Sequence, residues 1–128
     1  MRSDNSAVNG VLITGDLIFS TKITSTARAL GLDVRVVGTP EAAMERIQPG
    51  QTRCVVLDLA LSSLTEQRIR EIVGAAGGAS VIAYGSHVDT ERLQAARDSG
   101  CTEVMPRSRL SGELPQLLAK YLSVMPDE

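Results

Sequence analysis

The sequence predicts an α/β fold in which a parallel five-stranded sheet is covered by helices on both faces. Three observations carry this. Short apolar runs rich in β-branched residues alternate five times with segments of helical period, and the joins between them are only a few residues long. The third run, Arg53-Cys54-Val55-Val56-Leu57-Asp58-Leu59-Ala60-Leu61, is apolar from Cys54 onward but for its aspartate, the pattern of a strand buried on both faces in the middle of a parallel sheet. The chain is 128 residues long and 43% apolar, which fits one domain with a single sheet.

The elements follow in order. Val11-Leu12-Ile13-Thr14 reads as a buried strand ending at Gly15-Asp16, and Phe19, Ile23, Ala27 and Leu30 then recur at helical spacing up to a stop at Gly31. Val34, Val36 and Val37 form a second strand closed by Gly38. Thr39-Pro40-Glu41 starts a helix with a hydroxyl cap, a first-turn proline whose missing N–H costs nothing, and an acid facing the helix dipole. That helix carries Ala43, Met44 and Ile47 and breaks at Pro49-Gly50. After the third strand, Ser62 or Ser63 is expected to cap a helix with Leu64, Ile69, Ile72 and Val73 on one side. Gly74-Ala75-Ala76-Gly77-Gly78 ends it. A phosphate loop follows a strand and opens a helix, whereas this cluster does the reverse, so it reads as a connector. Val81-Ile82-Ala83-Tyr84 is the fourth strand, ending at Gly85-Ser86-His87, and Asp89 caps a helix with Leu93 and Ala96 that stops at Gly100. A fifth strand around Glu103-Val104-Met105 ends at Pro106-Arg107-Ser108. The fifth helix shows Leu114, Leu117, Leu118 and Tyr121 at one face, with Pro115 in its first turn. Residues 1–10 read as a disordered or extended segment, 11–124 as the domain and 125–128 as a tail.

Right-handed crossovers place every strand-to-helix junction on one edge of the sheet, where open α/β folds bind ligands. Asp is depleted from strands and costly to bury alone, so Asp58 belongs at that edge, either capping the chain or doing chemistry. With a flavodoxin-like strand order of 2-1-3-4-5, the switch point falls between the first and third strands and brings Asp16 toward Asp58. Two carboxylates there repel, and the pairing calls for a cation or a shared proton.

Composition narrows the class. A formal charge of −2 argues against a nucleic-acid footprint, and three aromatics, Phe19, Tyr84 and Tyr121, give little surface for stacking bases or flavin. Cys54 and Cys101 read as buried small hydrophobes in a reducing compartment, without metal-site spacing. No apolar run approaches the ~20 residues of a membrane span, and Met1–Gly10 lacks the apolar core of a signal peptide. A cytoplasmic protein with no membrane contact is expected. His87 stands alone without a second ligand at metal spacing and reads as a surface loop residue.

Over Val11–Leu122 the chain resembles the receiver domain of bacterial two-component response regulators. Val11-Leu12-Ile13-Thr14-Gly15-Asp16 is similar to the family's first strand and acidic pair, and Val55-Val56-Leu57-Asp58-Leu59 to its phosphoacceptor strand. Gly100-Cys101-Thr102-Glu103-Val104-Met105-Pro106-Arg107 resembles the family's Gly-Ala-Asp-Asp-Tyr-Leu-Pro-Lys run. Asp16 to Asp58 spans 42 positions and Gly85 to Arg107 spans 22, spacings that suit receivers. The resemblance implies Asp58 as phosphoacceptor from a histidine kinase, Mg²⁺ held by Asp16, Asp58 and the backbone carbonyl of Ala60, and Arg107 as the phosphate contact. A structural ion pair between Arg107 and the acids is the other reading of that residue.

The chain also departs from the family. Gly15 replaces one acid of the pair, so Mg²⁺ affinity should fall. Gly85 stands where a Thr or Ser hydroxyl is expected, with Ser86 one residue later and, on a strand, on the other side. Arg107 replaces a lysine, a broad fork for a compact ammonium, and Ser108 replaces a proline. Val104 replaces the switch aromatic. These departures predict an atypical receiver, a pseudo-receiver that acts by protein–protein contact with weak or absent phosphorylation of Asp58 rather than as an enzyme. Two alternatives stand beside it: a working single-domain response regulator phosphorylated on Asp58 with Mg²⁺, and a flavodoxin-like binder of a small ligand such as a nucleotide or flavin. Since no output domain is expected after Pro126, output would pass to a histidine kinase or another signalling protein. A homodimer through the fourth and fifth helices, where Arg92, Arg97, Arg109 and Lys120 fall, is the other route.

Overall fold

The computed structural model describes residues 9–122, so most of segment 1–10 and the tail 125–128 lie outside the described residues. Five runs pair in parallel: β1 (Gly10–Ile13), β2 (Val34–Val37), β3 (Cys54–Asp58), β4 (Ser80–Gly85) and β5 (Glu103–Pro106), in the order β2-β1-β3-β4-β5. This is the flavodoxin-like arrangement expected. The strand with the longest apolar run takes the centre, where both its neighbours are strands, and all five of its residues are buried. β1 opens at Gly10, one residue before the expected start, and ends at Ile13, which leaves Thr14 just past the strand.

Alternation sends successive side chains to opposite faces, and each face has its own core. On one, Leu12, Val56 and Ile82 pack with Phe19 and Ile23 of α1 (Leu17–Ala29), Leu110 of α5 (Arg107–Gly112) and Leu117 of α6 (Leu114–Leu122). On the other, Val11, Val55, Leu57 and Val81 pack with Ile47, which follows α2 (Pro40–Arg46), with Ile69 and Ile72 of α3 (Glu66–Ala76), and with Leu93 of α4 (Thr90–Asp98). Each large aliphatic side chain so buried stabilises the fold by about 1.5–3 kcal/mol before entropy is counted.

Capping chemistry sets the helix starts. Thr39 accepts from the Ala42 N–H and Asp89 from the Arg92 N–H, as expected, and Gly31 follows α1 at φ 77°. The third helix departs from expectation. Its cap is Thr65, not Ser62 or Ser63, because Leu64 is drawn fully into the core and the chain turns between Leu61 and Leu64 before the helix begins. Leu30 and Met44 lie 42% and 40% exposed, off the apolar stripes in which they recur.

The five-helix pattern is corrected to six. An additional short helix, α5, starts directly after β5, pinned by the buried Leu110. It cannot run on into α6, since Pro115 has no N–H for the carbonyl of Ser111 and its ring would clash there. The chain therefore breaks at Glu113 and restarts with Pro115 in the first turn of α6.

Candidate functional site

Register brings one polar row to the carboxyl edge. Ile13 lies level with Leu57, so Thr14 comes level with Asp58, and Asp58 pairs in register with Tyr84. Neighbouring strands are ~4.8 Å apart, and all three residues fall on the face covered by α1, α5 and α6. The row therefore reads hydroxyl, carboxylate, phenol.

Asp58 is 4% exposed, and both of its oxygens are engaged. The Thr14 hydroxyl donates to Oδ2 at 2.6 Å and the Ala60 N–H to Oδ1 at 2.9 Å. Thr14 also joins the two acids, since its hydroxyl accepts from the Asp16 N–H at 3.0 Å. Asp16 caps α1, its Oδ1 accepting from the Phe19 N–H at 3.0 Å, while Oδ2 takes an N–H of Arg107. The Phe19 N–H first, and then the Arg107 guanidinium, hold the Asp16 carboxyl below the usual carboxylate range. Arg107 lies 4.6 Å over the Phe19 ring, so packing as well as charge fixes it beside Asp16.

Tyr84 is fully buried, edge-on to Phe19 at 5.2 Å between centroids. Its hydroxyl stands beside that of Thr14, without a hydrogen bond of good geometry among the described residues. Burial pushes its phenol well above the ordinary range, with Asp58 adding to the rise. Burial likewise pushes the free thiols of Cys54 and Cys101 up to about 12 and about 11, in keeping with their expected place as small hydrophobes.

The other expected positions turn away from Asp58. Gly85 faces the opposite core: a Cβ built on it would stand 3.2 Å from that of Leu59 and 3.7 Å from Leu93. Ser86 lies beyond the strand and accepts from the Val88 N–H at 3.3 Å, and Val104 packs with the α3/α4 core. His87 is exposed in the loop, as expected. Arg92 is a departure from the expected surface cluster. From α4 its guanidinium turns inward and donates to the carbonyls of Leu59 (2.6 and 3.1 Å), Leu61 (2.9 Å) and Leu64 (2.7 Å), so the loop after Asp58 is bolted to α4 on either side of Ala60. Arg109 and Lys120 converge instead on Glu103, which also accepts from Tyr121.

The fit of a divalent cation follows from these bonds. The donors on offer are the carboxylates of Asp16 and Asp58 and the Ala60 carbonyl, and every carboxylate oxygen already has an N–H or O–H partner. Among the described residues no group of three His, Cys, Asp or Glu side chains is placed to hold a metal. Mg²⁺ fits this arrangement poorly, because the Arg107 guanidinium already neutralises Asp16.

Sequence reasoning brings together Asp16, Asp58, Ala60 and Arg107 and misses Thr14, Tyr84 and Arg92. Phase on β1 was the available signal for Thr14, whereas Tyr84 needed the β3–β4 register. Arg92 gave none, since its partners are backbone carbonyls 28 to 33 residues away.

No protein-family model matches the sequence, and no curated protein does. Solved structures match its fold. A CheY-like response regulator receiver domain protein from Methanospirillum hungatei superposes with a TM-score of 0.75 at 11% identity, covering 89% of this chain and 92% of that one. A response regulator from Thermotoga maritima gives 0.71 at 15% identity over 90% and 97%. The receiver domain of a sensor histidine kinase from Pseudomonas aeruginosa, with a magnesium ion coordinated in its active site cleft, gives 0.73 at 18% identity over 90% and 97%. At these identities the likeness is one of fold. No helix among the described residues is long and apolar enough to cross a membrane.

Proposed function

We propose that this chain is a receiver-like module of a two-component or phosphorelay system that works chiefly by protein contact, with Asp58 phosphorylated weakly or not at all. The observation that supports this is the buried Asp58 carboxylate, with both oxygens hydrogen-bonded and the neighbouring Asp16 already paired with Arg107. Acyl phosphate formation would need an Asp58 oxygen to attack phosphorus in line while the donor's bond to phosphorus breaks. Each Asp58 oxygen keeps a second lone pair, but the hydrogen bond it accepts from Thr14 or Ala60 draws off charge and makes it a weaker nucleophile. A divalent cation would bind weakly, since it has to displace Arg107 from Asp16. The partner class is a histidine kinase or another signalling protein.

Incubation with a small phosphodonor and Mg²⁺, followed by intact mass, tests the reading. The expected result is at most a trace of adduct. A labile phosphate adduct at near-full occupancy, lost in Asp58→Asn, would overturn it in favour of a working phosphoacceptor.

A further inference from the structure

Beside the acid row lies a cavity of about 570 Å³, within the range of small-molecule sites, walled by α1, the β4–α4 loop and the start of α5. It shares Phe19 and Arg107 with the acid site but not Asp16, Asp58 or Ala60. Its lining is charged in one sense only. Lys22 enters from α1 and Arg107 from α5, and no carboxylate is among its lining residues, although the chain as a whole carries −2.

We propose that this cavity binds a small organic dianion, a phosphomonoester with an aromatic or aliphatic body being the simplest form. The head has its donors. Lys22 Nζ reaches across to Ser111 Oγ at 2.6 Å, which fixes its ammonium at the wall with two N–H groups to spare. Arg107 spends one N–H on Asp16 among the described residues, and its fork suits the oxygens of a phosphate. The Ser108 and Ser111 hydroxyls add neutral donors. The body has an apolar wall in Ile18, which is 86% exposed at a helix start where an isoleucine is otherwise unexplained, with only the rim of Phe19, 6% exposed beneath Arg107, behind it. The low aromatic content argues against a stacked flavin, and a body held by Phe19 and Ile18 needs no ring stack. This inference goes beyond the signalling role and stands without it, but the two sites meet in one guanidinium, so an occupant here would act on Asp16 through Arg107.

The test titrates the full chain with phenyl phosphate, inorganic phosphate and benzyl alcohol, following amide shifts and heats. An acyl phosphate lies uphill from a phosphomonoester, so phenyl phosphate reads the cavity apart from any chemistry at Asp58. We expect phenyl phosphate to shift Lys22, Ser86 and Ser111 amides and to bind about tenfold tighter than either other probe. Lys22→Ala should weaken it about tenfold, while Lys120→Ala, at Glu103, leaves it unchanged. Absence of binding up to about 10 mM, binding undiminished in Lys22→Glu, or equal affinity for inorganic phosphate would overturn the assignment.

Discussion

The two sides of the sheet's carboxyl edge have been treated differently. On the side of α1, α5 and α6 the edge is polar: Thr14, Asp58 and Tyr84 stand level, Asp16 and Arg107 close over them, and the Tyr84 hydroxyl lacks a good partner among the described residues. On the side of α3 and α4 it is apolar and fastened, with Gly85 set close against Leu59 and Arg92 holding three carbonyls of the loop. The contrast separates two jobs. The first side gathers carboxylates, a guanidinium and hydroxyls, while the second carries Gly85 and Val104 against its core and is bolted by Arg92. The Arg92 bonds hold the loop after Asp58 against α4 on the fastened side, and nothing comparable spans the polar side among the described residues.

The largest expected effect comes from removing the bolt. Arg92→Ala leaves the carbonyls of Leu59, Leu61 and Leu64 without their charged donor and should cost about 2–3 kcal/mol by urea denaturation, whereas Arg97→Ala, exposed on the same helix, stays within about 0.5 kcal/mol. Because a guanidinium does not titrate in the accessible range, the loss should be the same at pH 5 and pH 8. A cost no greater than that of Arg97→Ala would erase the difference between the two sides.

How much of this was readable in the chain depends on distance along it. The five strands, the two-faced burial and the caps at Thr39 and Asp89 follow from local period and local chemistry, whereas the strand order came from likeness to flavodoxin-like folds. Asp16, Asp58 and Arg107 could be brought together because strand ends converge at one edge whatever fills the core. The split between α5 and α6 was hidden because one buried Leu110 in a polar run makes no period. The cap at Thr65 was hidden because the pull of the core on Leu64 is tertiary. Tyr84 needed the β3–β4 register, which no local pattern carries, and Arg92 needed the path of a loop.

A smaller effect examines the polar side from within. Tyr84→Phe removes a buried hydroxyl without a good partner and keeps the ring against Phe19, so stability should hold or rise by up to about 1 kcal/mol in urea. A loss of more than about 1 kcal/mol would mean that the phenol is a full member of the Thr14–Asp58 network, and that the polar side is as tightly satisfied as the fastened one.

The smallest effect separates the sides by their response to acid. Asp16→Asn retains a good helix cap for α1 and removes only the negative charge facing Arg107. Since the folded carboxyl titrates below its unfolded value, the stability it supplies is present in full above about pH 4 and fades as pH falls through the lower, folded value. The gap in melting temperature between the wild type and Asp16→Asn should therefore be steady from neutral pH to about pH 4 and close in stronger acid. The corresponding gap for Arg92→Ala should stay open over that same interval. A gap for Asp16→Asn that widened on acidification would mean that Arg107 opposes, rather than favours, the ionised carboxylate, and the polar side would lose the one charge pair that sets it apart.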